Sequence, residues 1–275
     1  MNDVCLLHPK LVIVRMIQFI ILICIAAFAV WFFSGTGKKA KAQQEPVSIQ
    51  TDFLEENVLF YHRLGAEDKK QFEADIKDFL QQVQVTGINT TVADTDKLLV
   101  ASAAVIPIFN FKQWKYHNVH EVLLYSDAIN MNFESSGNTN RDILGMVGTG
   151  SLEGKILLSK HALQQGFYNK TDKSNTAIHE FVHLVDKSDG DTDGIPGLLL
   201  DKLYVIPWLD MIRQQMQRIA KGKSDINPYA SMNQAEFFAV VAEYFFERPA
   251  LLEEKHPRLY AMLIEMFEEK GTGRV

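Results

Sequence analysis

The stretch SNTAIHEFVHLVDKSDG, residues 174–190, constrains this chain more than any other. It sets His179 and His183 four residues apart, with Glu180 directly after the first, among Ala177, Ile178, Phe181, Val182, Leu184 and Val185. The apolar positions predict a helix, and in a helix residues i and i+4 share a face about one turn apart. Two imidazoles then aim at one point, as a tetrahedral Zn²⁺ requires of two of its ligands. Glu180 falls roughly 100° round the helix, beside the ion rather than on it. From there a carboxylate can take a proton from a water whose pKa the zinc lowers to about 7. This is the H-E-x-x-H pattern. The structural alternative is a helix with two ordinarily hydrogen-bonded histidines and a solvated glutamate. The apolar flanks argue against it, because polar groups in a central helix need partners.

A catalytic zinc needs a third protein ligand and one open position. His8, His62, His117, His120, His161 and His256 are scattered along the chain and suit surface or packing positions. Cys5 and Cys24 are the only cysteines, both near the N-terminus, so a thiolate site is excluded from the rest of the chain. A carboxylate from a second helix is the usual remaining choice. The candidate segment is NPYASMNQAEFFAVVAEYFFERP, residues 227–249, where Glu236 and Glu243 stand seven apart on one face of an otherwise apolar helix. Two acids there are costly without partners, and spacing alone does not choose between them. DGDTDG, residues 189–194, matches the first half of a calcium-binding EF-hand loop. Its twelfth position is Leu200, where a bidentate glutamate belongs, so an acidic turn is expected instead.

The N-terminus is of a different kind. Met16 to Phe33 is apolar except for Gln18, about the length that crosses a bilayer as a helix, and it ends on Trp31, Phe32 and Phe33. A cleaved signal peptide is the rival, but neither Ala27–Ala29 nor Ala40–Ala42 makes a good cleavage site. Met16 is an alternative start that would leave 1–15 untranslated. The expected organisation is an N-terminal segment 1–15, one transmembrane helix 16–33, a polar linker 34–51 and a domain over 52–275. Lys38, Lys39 and Lys41 follow the span, while Lys10 and Arg15 precede it. That balance leans towards a domain on the cytoplasmic side of a bacterial inner membrane. The net charge of −6 gives no basic surface for nucleic acid.

Residues 52–275 read as α+β, mostly helical with a small sheet. Phe72, Ile76, Phe79, Leu80 and Val83 recur at helical spacing, and DKLLVASAAVIPIF predicts a helix that Pro107 stops. VHEVLLYS and GKILLSK predict short strands. Further helices are expected over about 207–220, 233–246 and 257–269.

The motifs HEFVHLVDKSDG, NPYASMNQAEFFAVVAEYFFERPALL and HPRLYAMLIEMF together resemble the MtfA-like zinc peptidases, named for the Mlc titration factor. The catalytic domain of anthrax lethal factor is similar at the same points. The resemblance implies a zincin-like metallopeptidase domain with Glu236 as third zinc ligand and Tyr229 as the active-site tyrosine. Asp186 matches an aspartate three residues past the second histidine. It and Glu243 are then candidates to orient a ligand histidine from behind. The expectation is a membrane-anchored zinc peptidase acting on peptides or proteins, with aminopeptidase-like cleavage suggested by the family and endopeptidase action open. The alternatives are a non-catalytic zinc-containing regulatory protein of the same fold and a metal-dependent hydrolase of another substrate. A protein regulator is a further partner that the family implies.

Overall fold

The apolar faces of the helices pack on one main core, with a smaller cluster on the other side of the sheet. The structure, a computed structural model, describes residues 47–111, 114–127, 145–148 and 150–268. By its contacts the chain divides into two compact units, Met1–Glu45 and Pro46–Val275; the first lies outside the described residues, as do the segment 1–15 and the span 16–33 expected there. The linker expected over 34–51 reaches the described residues only at 47–50, which have no regular structure, and helix α1 (Thr51–Asn57) follows at once.

Helix α2 (Leu59–Arg63) leads into α3 (Ala66–Gln82), which buries Phe72, Ile76, Phe79 and Leu80 and opens on the acids Glu67 and Asp68, favourable at a helix N-terminus. Helix α4 (Asp94–Val105) is buried on every side from Leu98 onward, as a helix apolar all round must be. It ends at Val105, and the chain continues through a 3-10 turn, Ile106–Ile108, that absorbs Pro107. Strands β1 (Gln84–Ile88), β2 (Glu121–Tyr125), β3 (Gly145–Val147) and β4 (Lys155–Ser159) form one sheet in the order β1-β2-β4-β3. The first three in that order run parallel, and β3 closes the edge antiparallel to β4. Val122, Leu124, Ile156 and Leu158 face the main core, while Leu123, Tyr125 and Leu157 meet Ile88, Met146 and Leu152 on the other side.

The remaining elements are helical: α5 (Lys160–Tyr168), α6 (Thr176–Asp186), α7 (Val205–Ala220), α8 (Gln234–Glu247), α9 (Pro249–Lys255) and α10 (Pro257–Phe267). Asn175 caps α6 by accepting from the Ile178 amide at 3.3 Å, and Asn233 caps α8 by accepting from the Glu236 amide at 2.9 Å. Helices α6 and α8 make the most extensive helix–helix contact in the domain. Behind α8, Trp208 is fully buried against Phe237 and Phe238, and Phe267 stacks on Phe238 and Phe245.

The single-pass membrane localisation expected from the sequence is corrected here: no helix among the described residues is long and apolar enough to cross a membrane. The longest, α3, has 17 residues but carries charge along its outer face. The most evenly apolar, α4, has 12 residues, about 18 Å of rise against a hydrocarbon core of about 30 Å. The run 16–33 that carried the expectation lies outside the described residues.

Candidate active site

The i, i+4 spacing does what helix geometry requires. On α6 the two imidazoles sit with ring centroids 4.6 Å apart and their Nε2 atoms 3.0 Å apart. From α8, Glu236 brings Oε2 to 3.0 Å from His179 Nε2 and 3.4 Å from His183 Nε2. One ligand atom from each of the three residues therefore lies within 4.8 Å of the others, the compass of one metal ion.

The opposite side of His179 explains why α8 carries two inward acids. Glu243 Oε1 lies 2.6 Å from His179 Nδ1, and its Oε2 accepts from the Asn175 backbone amide at 2.7 Å. A carboxylate on Nδ1 makes that nitrogen the protonated one and turns the Nε2 lone pair towards His183 and Glu236. Burial pushes the His179 pKa down, but the hydrogen bonds of Glu236 and Glu243 outweigh it and raise it to about 10. Burial likewise pushes Glu236 up, while His179 and His183 bring it down to about 2, so it is a ready anionic ligand. This donor set, two imidazoles and a carboxylate meeting at one point, fits a zinc ion with a position left open.

Glu180 is buried between this cluster and the sheet, and burial raises its carboxyl to about 7, with the histidines lowering it and Glu236 and Glu243 raising it. Gly145 of β3 gives it room: a Cβ there would come 2.7 Å from Glu180 Oε1 and 2.8 Å from Thr176 Cγ2. Tyr229 stands at the rim in a 3-10 turn, Pro228–Ser231, 47% exposed, its ring 6.1 Å from that of His179. Its hydroxyl makes no hydrogen bond among the described residues, and burial with Glu236 and Glu180 nearby pushes its pKa up. The cleft in front is lined by β3, by His179, Glu180, His183 and Lys187, by Thr192 and Asp193, and by Tyr229 and the start of α8.

Asp186 lies outside that constellation. Its Oδ2 accepts from the Gly194 amide at 2.8 Å, and no hydrogen bond joins it to either histidine. Its Oδ1 and the Nδ1 of His183 are both buried, and neither has a partner among the described residues. Gly194, at φ +77°, lies so close to α8 that a Cβ would meet Gln234 O at 2.3 Å, and Trp208 Nε1 donates to its carbonyl at 2.7 Å. The acidic segment 189–194 is thus a turn that seats the cleft wall on α8. Asp189 accepts from Asp191 and Gly197, and Asp193 from Ile195.

Two contributors carry no signal that sequence reasoning used. Gly145 and the strand it opens are three residues long and lie 35 positions before Glu180. Asn175 is legible as a helix cap, but its amide bond to Glu243 and its side-chain bond to Glu247 at 2.9 Å depend on where α8 passes.

Comparison with known proteins agrees with this chemistry. The chain is 28% identical over 220 residues to an uncharacterised protein of Synechocystis sp., covering 76% of this chain and 80% of the other. It is 26% identical over 229 residues to Mlc titration factor A of Pectobacterium atrosepticum, covering 77% and 83%. It is 26% identical over 255 residues to Mlc titration factor A of Salmonella arizonae, covering 86% and 97%. The two Mlc titration factor A relatives bear out the resemblance to the MtfA-like family. The family model of the glucose-regulated metallo-peptidases M90 matches residues 35–268, and the chain belongs to that family.

Proposed function

We propose that this metallopeptidase is a zinc enzyme that hydrolyses peptide bonds, with His179, His183 and Glu236 as metal ligands and Glu180 as general base. The observation that supports it best is the convergence of three ligand atoms with a buried carboxyl beside them rather than among them. A zinc ion bound there supplies a Lewis acid that brings the pKa of a water it holds to about 7. Glu180, itself raised to about 7, is poised to take the proton of the attacking water and pass it to the leaving amine. Glu243 holds the tautomer and direction of His179. Asp186 is the buried acceptor available to the unpartnered Nδ1 of His183. Tyr229, with a free hydroxyl at the cleft edge, donates to the oxyanion that develops on the scissile carbonyl.

The substrate arrives along β3. Among the described residues that strand stands at the edge of the sheet and pairs on one side only, and it lines the cleft from Gly145 to Val147. An extended peptide can add to such an edge through main-chain hydrogen bonds, which suits a zincin-like peptidase. The buried Glu180 favours this over a non-catalytic zinc protein, because a structural site has no use for a base beside an open position.

The test is metal content with turnover. Native mass spectrometry of the zinc-loaded protein should find one zinc per chain, and digestion of a peptide library should stop on chelation and return with zinc. A folded protein that takes up no zinc, or hydrolysis that survives complete metal removal, overturns the reading.

A further inference from the structure

We propose that Lys187 selects substrates by holding a carboxylate of the bound peptide. The proposal rests on the peptidase reading of the cleft and deepens it. Lys187 begins the 3-10 turn Lys187–Asp189 that extends α6, four residues beyond His183 and eight beyond His179. Helix geometry sets it about 40° round from His183 and about 6 Å further along, on the stripe that carries the two histidines. It lines the same cleft as Glu180, Glu236 and Tyr229.

What distinguishes Lys187 is that no described residue pairs with it. The partly buried lysines among the described residues are Lys69, Lys97, Lys155, Lys160, Lys173 and Lys187. The first five pair with Glu55, Asp94, Glu121, Asp96 and Asp225 respectively, at 2.7 to 3.0 Å. The Lys187 ammonium makes no hydrogen bond or ion pair among the described residues. Asp193, on the same cleft, accepts instead from the Ile195 amide. A charge partly withdrawn from water is unfavourable until something pairs with it. In a peptide cleft the complementary group is a carboxylate, from an acidic side chain or from the C-terminus. An extended peptide advances about 3.3 Å per residue, so a carboxylate at Lys187 belongs to a residue about two positions from the scissile bond.

Binding and turnover test it together. The probes are matched alanine-based hexapeptides with Glu or Gln at each position in turn, each with a free or an amidated C-terminus. Their binding to the zinc-loaded full chain carrying Glu180→Gln is followed by fluorescence anisotropy, and kcat/KM is measured on the unsubstituted protein. A carboxylate at one position should improve both by about five- to tenfold over its amide counterpart. The preference should shrink as salt rises. It should vanish in Lys187→Met and in Lys187→Gln, persist in Lys187→Arg, and turn towards lysine-bearing peptides in Lys187→Glu, with zinc content checking each fold. Preference that follows the internal Glu identifies a side chain, and preference that follows the free terminus identifies the C-terminal carboxylate; either supports the proposal. Equal treatment of acid and amide peptides, or a preference that survives Lys187→Met, overturns it while leaving the peptidase reading in place. Zinc-loaded protein that neither binds nor cleaves any peptide overturns the peptidase reading itself, and this assignment with it.

Discussion

Two charged clusters meet on helix α8, and they are built on opposite principles. Around Asp225, Lys173 (2.8 Å), His256 (2.7 Å), Tyr244 (2.9 Å) and Lys255 (3.2 Å) all aim donors at one carboxylate. Lys173 also donates to the Asp225 carbonyl at 2.6 Å and lies 4.8 Å from the centre of the Tyr244 ring. Around His179 the balance is reversed. Glu180, Glu236 and Glu243 surround two imidazoles, and one ligand atom from each of His179, His183 and Glu236 lies within 4.8 Å of the others. The first cluster closes on itself and holds the approach to α6, the segment before Tyr229 and helix α9 together. On the proposed reading, the second is completed by a metal ion. Surplus acceptors converging in a buried place are expensive, so they mark a site that has a ligand.

Substitutions can break that contrast, and the largest effect belongs to the metal cluster. Glu180→Gln should lower peptide hydrolysis by about 10²–10⁴-fold with zinc retained, because the amide cannot accept the proton while the three ligands stay in place. Steady-state kinetics beside metal analysis checks it, and full activity in that variant removes Glu180 from the role of base. Tyr229→Phe should cost about 10²–10³-fold in kcat with KM and zinc little changed. A loss confined to KM would make Tyr229 a substrate-packing residue. Glu243→Gln should weaken zinc binding by about 10–100-fold, since His179 loses the carboxylate that sets its tautomer. Competition with a chromophoric chelator measures it, and unchanged affinity would mean that the Asn175 cap alone directs the histidine helix.

The smallest effect tests the other cluster. Asp225→Asn should destabilise the fold by about 1–2 kcal/mol in urea unfolding, with zinc stoichiometry and turnover unaffected. Burial pushes the Asp225 carboxyl up, but Lys173, His256, Tyr244 and Lys255 together hold it well below the usual carboxylate range. A carboxyl depressed in the folded state stabilises above its unfolded pKa, about 3.9, and that contribution fades as the pH falls. The stability gap between parent and variant should therefore narrow below about pH 4. A gap that is constant with pH, or a variant that loses zinc, would show that the two clusters are not separate devices.

The local features of the histidine cluster were legible because they depend on spacing along one helix. His179 and His183 share a face whatever surrounds them, and Glu236 and Glu243 share another. Strands β2 and β4 announced themselves as apolar runs between turn residues. Strands β1 and β3 did not. β1 follows α3 with Val83 alone between them, so its first residues continue the helical pattern, and β3 has only three residues to show a pattern at all. Asp186 was placed only by its match to other proteins; its Oδ2 accepts from the Gly194 amide of the cleft wall, and its buried Oδ1 has no partner among the described residues.

By itself, then, the sequence determined the histidine and glutamate helices and the shared face on which each pair of site residues lies, because those follow from a repeat of 3.6 residues and need no neighbour. Only the tertiary structure shows how the two acids divide around His179. Glu236 and Glu243 are separated by about 10 Å of helix rise. Helix α8 crosses α6 so that His179 falls between them, with Glu236 at Nε2 and Glu243 at Nδ1. Only the tertiary structure brings Gly145 from a distant strand against Glu180, where any side chain would displace the carboxyl. Spacing sets direction within an element, but contact between elements is set by packing, and the chemistry of this cleft is made of contacts between elements.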